Sequence, residues 1–125
     1  MSKVQRGQLW EVDFEPQTYK QEPGKRSRPA LVIQTNILND AGHPTTIIIP
    51  CTTQVYRDAH GDGYPLRIAL GKLGKLGKMK DETDALIDQI RAISNQRFMG
   101  SKPIAELTRA HMKRVEDALK ILTGS

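Results

Sequence analysis

The chain is short of cysteine, of aromatic residues and of long apolar runs, and each shortage excludes something. A single cysteine, Cys51, rules out an internal disulfide and a metal site built from thiolates alone. That usage suits a reducing compartment, so the expected location is the cytoplasm. No stretch approaches the ~20 consecutive apolar residues of a membrane-spanning helix. Residues 1–6 (MSKVQR) lack the apolar core of a secretion signal, and no membrane partner is expected. The glycine patterns that cradle nucleotide phosphates, GxGxxG and GxxxxGK[ST], are missing. So is the GxSxG elbow of a serine hydrolase. His43, His60 and His111 are scattered, with no HxxxH, CxxC or carboxylate triplet, so neither a metal nor another cofactor is expected. Cys51 follows three isoleucines and Pro50 with no base beside it, and reads as a buried small hydrophobe.

What is present describes a small globular protein. Of 125 residues, 38% are apolar and 26% charged, with 10 Gly and 7 Pro, which excludes a collagen-like, coiled-coil or fully disordered chain. One domain spanning residues 1–125 is expected. Lys and Arg number 19 against 14 Asp and Glu, a net charge of +5. A small basic domain suits a polyanionic partner, nucleic acid above all.

The patterning is mostly that of strands. Trp10, Val12 and Phe14 alternate with Glu11, Asp13 and Glu15 between Gly7 and Pro16, the signature of a half-buried strand. Residues 29–33 are continuously apolar and read as a strand buried on both faces. A third strand, 45–49, ends where Pro50 marks a strand end, an edge or a bulge. Weak alternation over 66–70 gives a fourth strand and residues 85–93 a fifth. Residues 17–27, 56–63 and the period-three segment 71–80 (GKLGKLGKMK) read as loops, the last flexible and basic. Asn36–His43 suggests one helical turn, and Ser94 caps another.

At the C-terminus, Thr108 is placed as an N-cap, with Leu107 and Met112 as a hydrophobic staple. Met112, Val115, Leu119 and Leu122 then form one apolar stripe, and Gly124 stands at the stop. His111 flanks that stripe as a packing residue. Five short strands and a final amphipathic helix make an α+β domain, its sheet mostly antiparallel and curled like a small barrel.

Two places could handle phosphate. Arg28 stands at the mouth of one strand after a basic loop; Thr52 and Thr53 end another after Pro50. If these strands are neighbours, a guanidinium and two hydroxyls meet at one rim. A guanidinium donates bidentately to phosphate oxygens, and a hydroxyl donates to a further oxygen. The same positions also suit a surface cap and ordinary strand-end residues.

Five ordered segments carry a family resemblance. Arg6-Gly7-Gln8-Leu9-Trp10 with Asp13-Phe14-Glu15-Pro16, Arg28–Ile33 with Asn36, Pro50-Cys51-Thr52-Thr53-Gln54 with Gly63-Tyr64-Pro65, Asp88–Ile93 and Val115–Leu119 together resemble the MazF/PemK-type toxins of toxin–antitoxin pairs. The resemblance implies a small SH3-like barrel working as a homodimer, a cognate antitoxin partner, and a metal-independent endoribonuclease that cuts single-stranded RNA at a short sequence. It implies that Arg28 and Thr52 hold and activate the scissile phosphate, with Glu22 in the preceding loop as the nearest match to an implicated glutamate. Some members carry a catalytic arginine where this chain has Leu86, so that form of the site is absent here.

The chemistry that follows is attack of a ribose 2′-OH on its own 3′-phosphate, giving a 2′,3′-cyclic phosphate and a 5′-OH. Arg28 and Thr52 supply donors to the non-bridging oxygens and Glu22 the base. RNA grip is expected from Lys20, Lys25, Arg26, Thr53, Gln54, Lys72, Lys75, Lys78 and Lys80, with Tyr19, Tyr56 and Tyr64 as stacking surfaces. Two competing readings share the architecture: a non-enzymatic toxin that inhibits DNA gyrase by direct binding, and a plain RNA-binding barrel without turnover.

Overall fold

The structure, a computed structural model, describes residues 3–14, 27–53, 66–72 and 82–124. Its strands are β1 (Gln8–Asp13), β2 (Ser27–Val32), β3 (Thr45–Thr52), β4 (Arg67–Lys72), β5 (Glu82–Leu86), β6 (Arg91–Ser94), β7 (Phe98–Met99) and β8 (Ala105–Glu106). A short helix α1 (Asn36–Asp40) precedes β3, and α2 (Arg109–Thr123) ends the chain. The sheet order is β4-β5-β3-β2-β1-β7, with β6 paired to β3 and β8 to β1, and every pairing is antiparallel. The result is a curled antiparallel half-barrel with one long C-terminal helix, an α+β fold.

Period-two alternation gives the sheet two apolar faces. On one, Trp10, Val12, Ala30, Val32 and Ile48 meet Ile93 and Phe98. On the other, Leu9, Leu31, Ile33, Ile49 and Cys51 pack with Val115 and Ala118 of α2. The polar side expected of the first strand is therefore interrupted by Leu9, which is fully buried. α2 forms as its sequence signals require. The Thr108 hydroxyl accepts from the His111 N–H at 3.2 Å, and Gly124 closes the helix in the left-handed conformation, φ +76°. Met112, Leu119, Leu122 and Leu107 pack against the core beside it. His111 is half-buried there, though its Nδ1 has no partner among the described residues.

Eight strands form among the described residues where five were expected, β7 and β8 being additional, and β2 spans 27–32 rather than 29–33; three further differences have a clear physical reason. β3 does not stop at Pro50 but runs through it to Thr52. Pro50 falls where β3 changes neighbours: pairing to β6 ends at Ile48↔Arg91 and pairing to β5 begins at Cys51↔Ala85. A residue without an N–H fits the gap between two ladders. Residues 85–93 are two strands, not one, because a 3₁₀ turn at Ile87–Gln89 carries the chain from β5 to β6 across that same gap. β4 continues through Gly71 and Lys72, residues assigned above to the basic loop. The register shifts between Ala69 and Gly71, and Gly71 has φ +70°. A bulge with a left-handed residue is a place where glycine carries no Cβ penalty.

A buried polar network fixes the turn between β2 and β3. Gln34 and Asn39 are each 4% exposed. Gln34 Nε2 donates to Asn39 Oδ1 at 3.0 Å, its Oε1 accepts from the Ile47 N–H at 3.1 Å, and Asn39 Nδ2 donates to the Gln34 carbonyl at 3.0 Å. Asn36 Oδ1 accepts from Asn39 Nδ2 at 3.0 Å and from the Arg6 N–H at 2.7 Å. Arg6 also donates to the Ile33 carbonyl and to Glu116 on α2, tying the N-terminal turn to both. Because the network is fully satisfied, truncation leaves buried groups orphaned. Asn39→Ala is expected to cost about 2–3 kcal/mol in chemical denaturation with an unchanged m-value.

Candidate nucleic-acid interface

β2 and β3 pair as Ala30↔Pro50, Leu31↔Ile49 and Val32↔Ile48. The pairing ends at Ala30↔Pro50; continued two residues further towards the same end, its register sets Arg28 alongside Thr52. Alternation sets both on the face of Ala30, Val32 and Ile48. On the other flank of β2, Arg28 stands opposite Val12 of β1. On the other flank of β3, Thr52 stands opposite Asp84 of β5, which in turn faces Ala69 of β4. One cross-strand row thus reads Val12, Arg28, Thr52, Asp84, Ala69. Arg28 is exposed and Thr52 half-buried. The Arg28 guanidinium makes no hydrogen bond or ion pair with other described residues.

Further cations gather at this end of the sheet. Phe14, which follows β1, packs on the Trp10 cluster, and the Arg91 guanidinium of β6 lies over its ring at 5.2 Å. Arg97 Nη1 donates to the Asp13 carbonyl at 3.0 Å, and Asp13 is opposite Ser27, the neighbour of Arg28. Asp84 is fully buried and accepts from Arg67 Nε at 2.9 Å, with the Arg67 side chain 12% exposed. Chemically, the row offers a solvent-facing guanidinium and a hydroxyl on adjacent strands, donors suited to a sugar-phosphate backbone.

Sequence reasoning missed Arg67, Asp84, Arg91 and Arg97. Arg91 lies inside one of the motifs quoted above and could have been found there. The Arg67–Asp84 pair has no local signal, since its meeting depends on the β4–β5 register.

Of the other candidate residues, Thr53 is exposed just beyond β3, and Lys72 is the last residue of β4. Glu22, Lys20, Lys25, Arg26, Gln54, Tyr56, Lys75 and Lys78 lie outside the described residues, as do Tyr19, Tyr64 and Lys80. Among the described residues no group of three His, Cys, Asp or Glu side chains could hold a metal ion. None of the helices among them is long and apolar enough to cross a membrane.

Cys51, beside Thr52, is fully buried in the cluster under α2. Desolvation is the main reason its thiol is pushed up to about 12, with the Asp84 charge adding to it and a backbone hydrogen bond from Leu31 opposing it. At pH 7 the thiol is therefore protonated, without the few per cent of thiolate that a free thiol carries. Cys51 is expected to stay unlabelled by a thiol reagent until denaturant is added. Because its folded pKa is raised, its contribution to stability holds below the ordinary thiol value of 9.0 and is lost as pH rises towards 12.

Comparison with known proteins adds the following. A family model described as PemK-like, MazF-like toxin of type II toxin–antitoxin system matches residues 5–123. Among curated protein sequences nothing matches. Solved structures that resemble the chain include an endoribonuclease in complex with its cognate antitoxin from a mycobacterial species, at 17% identity and TM-score 0.67, over 97% of this chain and 95% of that one. A MazE–MazF structure from Deinococcus radiodurans matches at 22% identity and TM-score 0.70, over 99% and 98%. MazF from the same organism matches at 24% identity and TM-score 0.68, over 98% and 97%. At these identities the likeness is one of fold.

Proposed function

Since this chain belongs to the family of PemK-like, MazF-like toxins of type II toxin–antitoxin systems, we propose that it is a metal-independent endoribonuclease that cuts single-stranded RNA, mRNA in the cell, at a short sequence. The observation that carries this reading is the row in which exposed Arg28 and half-buried Thr52 follow one another on adjacent strands. The ribose 2′-OH attacks the adjoining 3′-phosphate in line, the O5′–P bond breaks, and the products end in a 2′,3′-cyclic phosphate and a 5′-OH. Arg28 donates to the non-bridging oxygens in both ground and transition states, more strongly as charge builds on them. Thr52 donates to a further oxygen. With a pKa above about 12, Arg28 does not serve as the proton donor. Glu22 is the proposed base for the 2′-OH.

The requirement for a 2′-OH makes DNA a non-substrate, and in-line attack on a splayed backbone favours single strands. Lys20, Lys25, Arg26, Lys72, Lys75 and Lys78 supply sequence-blind phosphate contacts, while Thr53, Gln54 and Tyr56 border the bases. The net charge of +5 suits both RNA and an acidic antitoxin segment that covers the same groove. The working unit is a homodimer in the cytoplasm.

The test is incubation of the purified protein with a long RNA in EDTA, followed by mapping of fragment ends. Cuts at few sites, leaving 5′-OH and cyclic phosphate termini, are expected. Intact RNA alongside a stalled gyrase reaction would instead assign the protein to the inhibitor class.

A further inference from the structure

The Arg67–Asp84 ion pair lies next to Thr52 in the cross-strand row, and neither residue belongs to the motifs that carry the family resemblance. We infer that this pair is a positioning device for Thr52 in RNA cleavage, an inference that rests on the nuclease reading above. Asp84 is fully buried on a strand paired on both sides, opposite Thr52 in β3 and Ala69 in β4. Arg67, two residues before Ala69, donates its Nε to the Asp84 carboxylate at 2.9 Å. The small Ala69 side chain leaves room for a diagonal reach of about 7–8 Å between strands.

Stability alone does not account for the pair. Leu86, two residues after Asp84 on the same face of β5, is buried and apolar. A hydrophobic pair of similar volume at positions 67 and 84 would hold the sheet as well or better, because taking two charges out of water offsets their attraction.

What the pair does is fix the last rung of β3. Thr52 is the final residue of that strand, Thr53 leaves the sheet, and strand ends are where pairing opens first. The rung that holds Thr52 is Thr52↔Asp84. Threonine is β-branched, so its χ1 is restricted by its backbone. Locking the rung therefore aims the hydroxyl. The pair is also neutral overall, so the buried carboxylate does not repel an incoming phosphate.

The test is the double variant Arg67→Met/Asp84→Val, which removes both charges together. Its thermal midpoint, its affinity for RNA carrying 2′-deoxy substitution at the cleaved position, and its kcat and KM on cleavable RNA are measured against the unmodified protein. The expected result is a folded protein that binds the non-cleavable RNA within about threefold of the original. Its kcat is expected to fall at least about tenfold with KM little changed, the pattern of an interaction realised in the transition state. A kcat within twofold of the original overturns the proposal. Should the double variant not fold, Asp84→Asn, which keeps size and shape, decides by the same split between kcat and KM. Failure of the unmodified protein to cut RNA in chelator removes the nuclease reading, and this role with it. Cutting by the original and the double variant alike removes only the role of the pair.

Discussion

Arg28→Ala is expected to lower RNA cleavage by roughly 10²–10³-fold, the usual loss when one preorganised donor to a developing oxyanion is removed. The fold should be indifferent to the change. Arg28 is exposed at a strand end and holds no described partner, so its melting curve should overlay the original. Arg28→Lys separates charge from shape: an ammonium keeps the attraction but cannot form the two-pronged contact. It should bind RNA nearly as well and cleave far more slowly. Thr52→Val, which removes the hydroxyl and keeps the β-branched shape, should show the same loss of rate, and Thr52→Ser a smaller one. Single-turnover cleavage of a short RNA measures all four variants. Binding to non-cleavable RNA should weaken in Arg28→Ala, with the salt slope reduced by about 0.7 for one lost single-strand phosphate contact.

Trp10→Ala should be the most damaging single change to the fold, at about 3–5 kcal/mol. Trp10 is 1% exposed and packs edge-on to Phe98, ring centroids 6.0 Å apart. Its Nε1 donates to Gln8 Oε1 at 2.9 Å, and that oxygen also accepts from the Gln5 N–H at 2.8 Å. The Lys3 ammonium lies 5.2 Å from the ring centroid. One side chain thus joins the N-terminal turn, β1 and β7. Total stabilities of domains this size run at roughly 5–15 kcal/mol, so the loss is a large share of the whole. Trp10 is the only tryptophan, so its fluorescence disappears with it. Circular dichroism melts are the measurement, and a fall in Tm above about 10 °C is expected.

Much of this architecture could be read from local pattern. Alternation around Trp10 and Val12 and the caps at Thr108 and Gly124 each depend on neighbours in sequence and appear where expected, and the apolar run at 29–33 yields a strand shifted to 27–32. What could not be read is what non-local pairing decides. Pro50 looked like a stop because a lone strand cannot spare an N–H. In the sheet it falls where β3 exchanges β6 for β5. The 85–93 segment looked continuous because residues on both sides of the 3₁₀ turn at 87–89 are apolar. Arg28 and Thr52 were visible as separate strand-end residues; their common face follows from a register no motif encodes. Arg67 and Asp84 were invisible for the same reason, since two charges 17 residues apart become a buried pair only when β4 and β5 align.

The most direct measurement is a crystal structure of the protein with RNA carrying a 2′-deoxy group at the cleaved position. Convergence of guanidinium and hydroxyl on one phosphate predicts a backbone phosphate within about 3 Å of both Arg28 and Thr52, in line with the missing 2′-OH. RNA seated elsewhere on the molecule, with the Arg28 side chain pointing into solvent away from the nucleic acid, would contradict it.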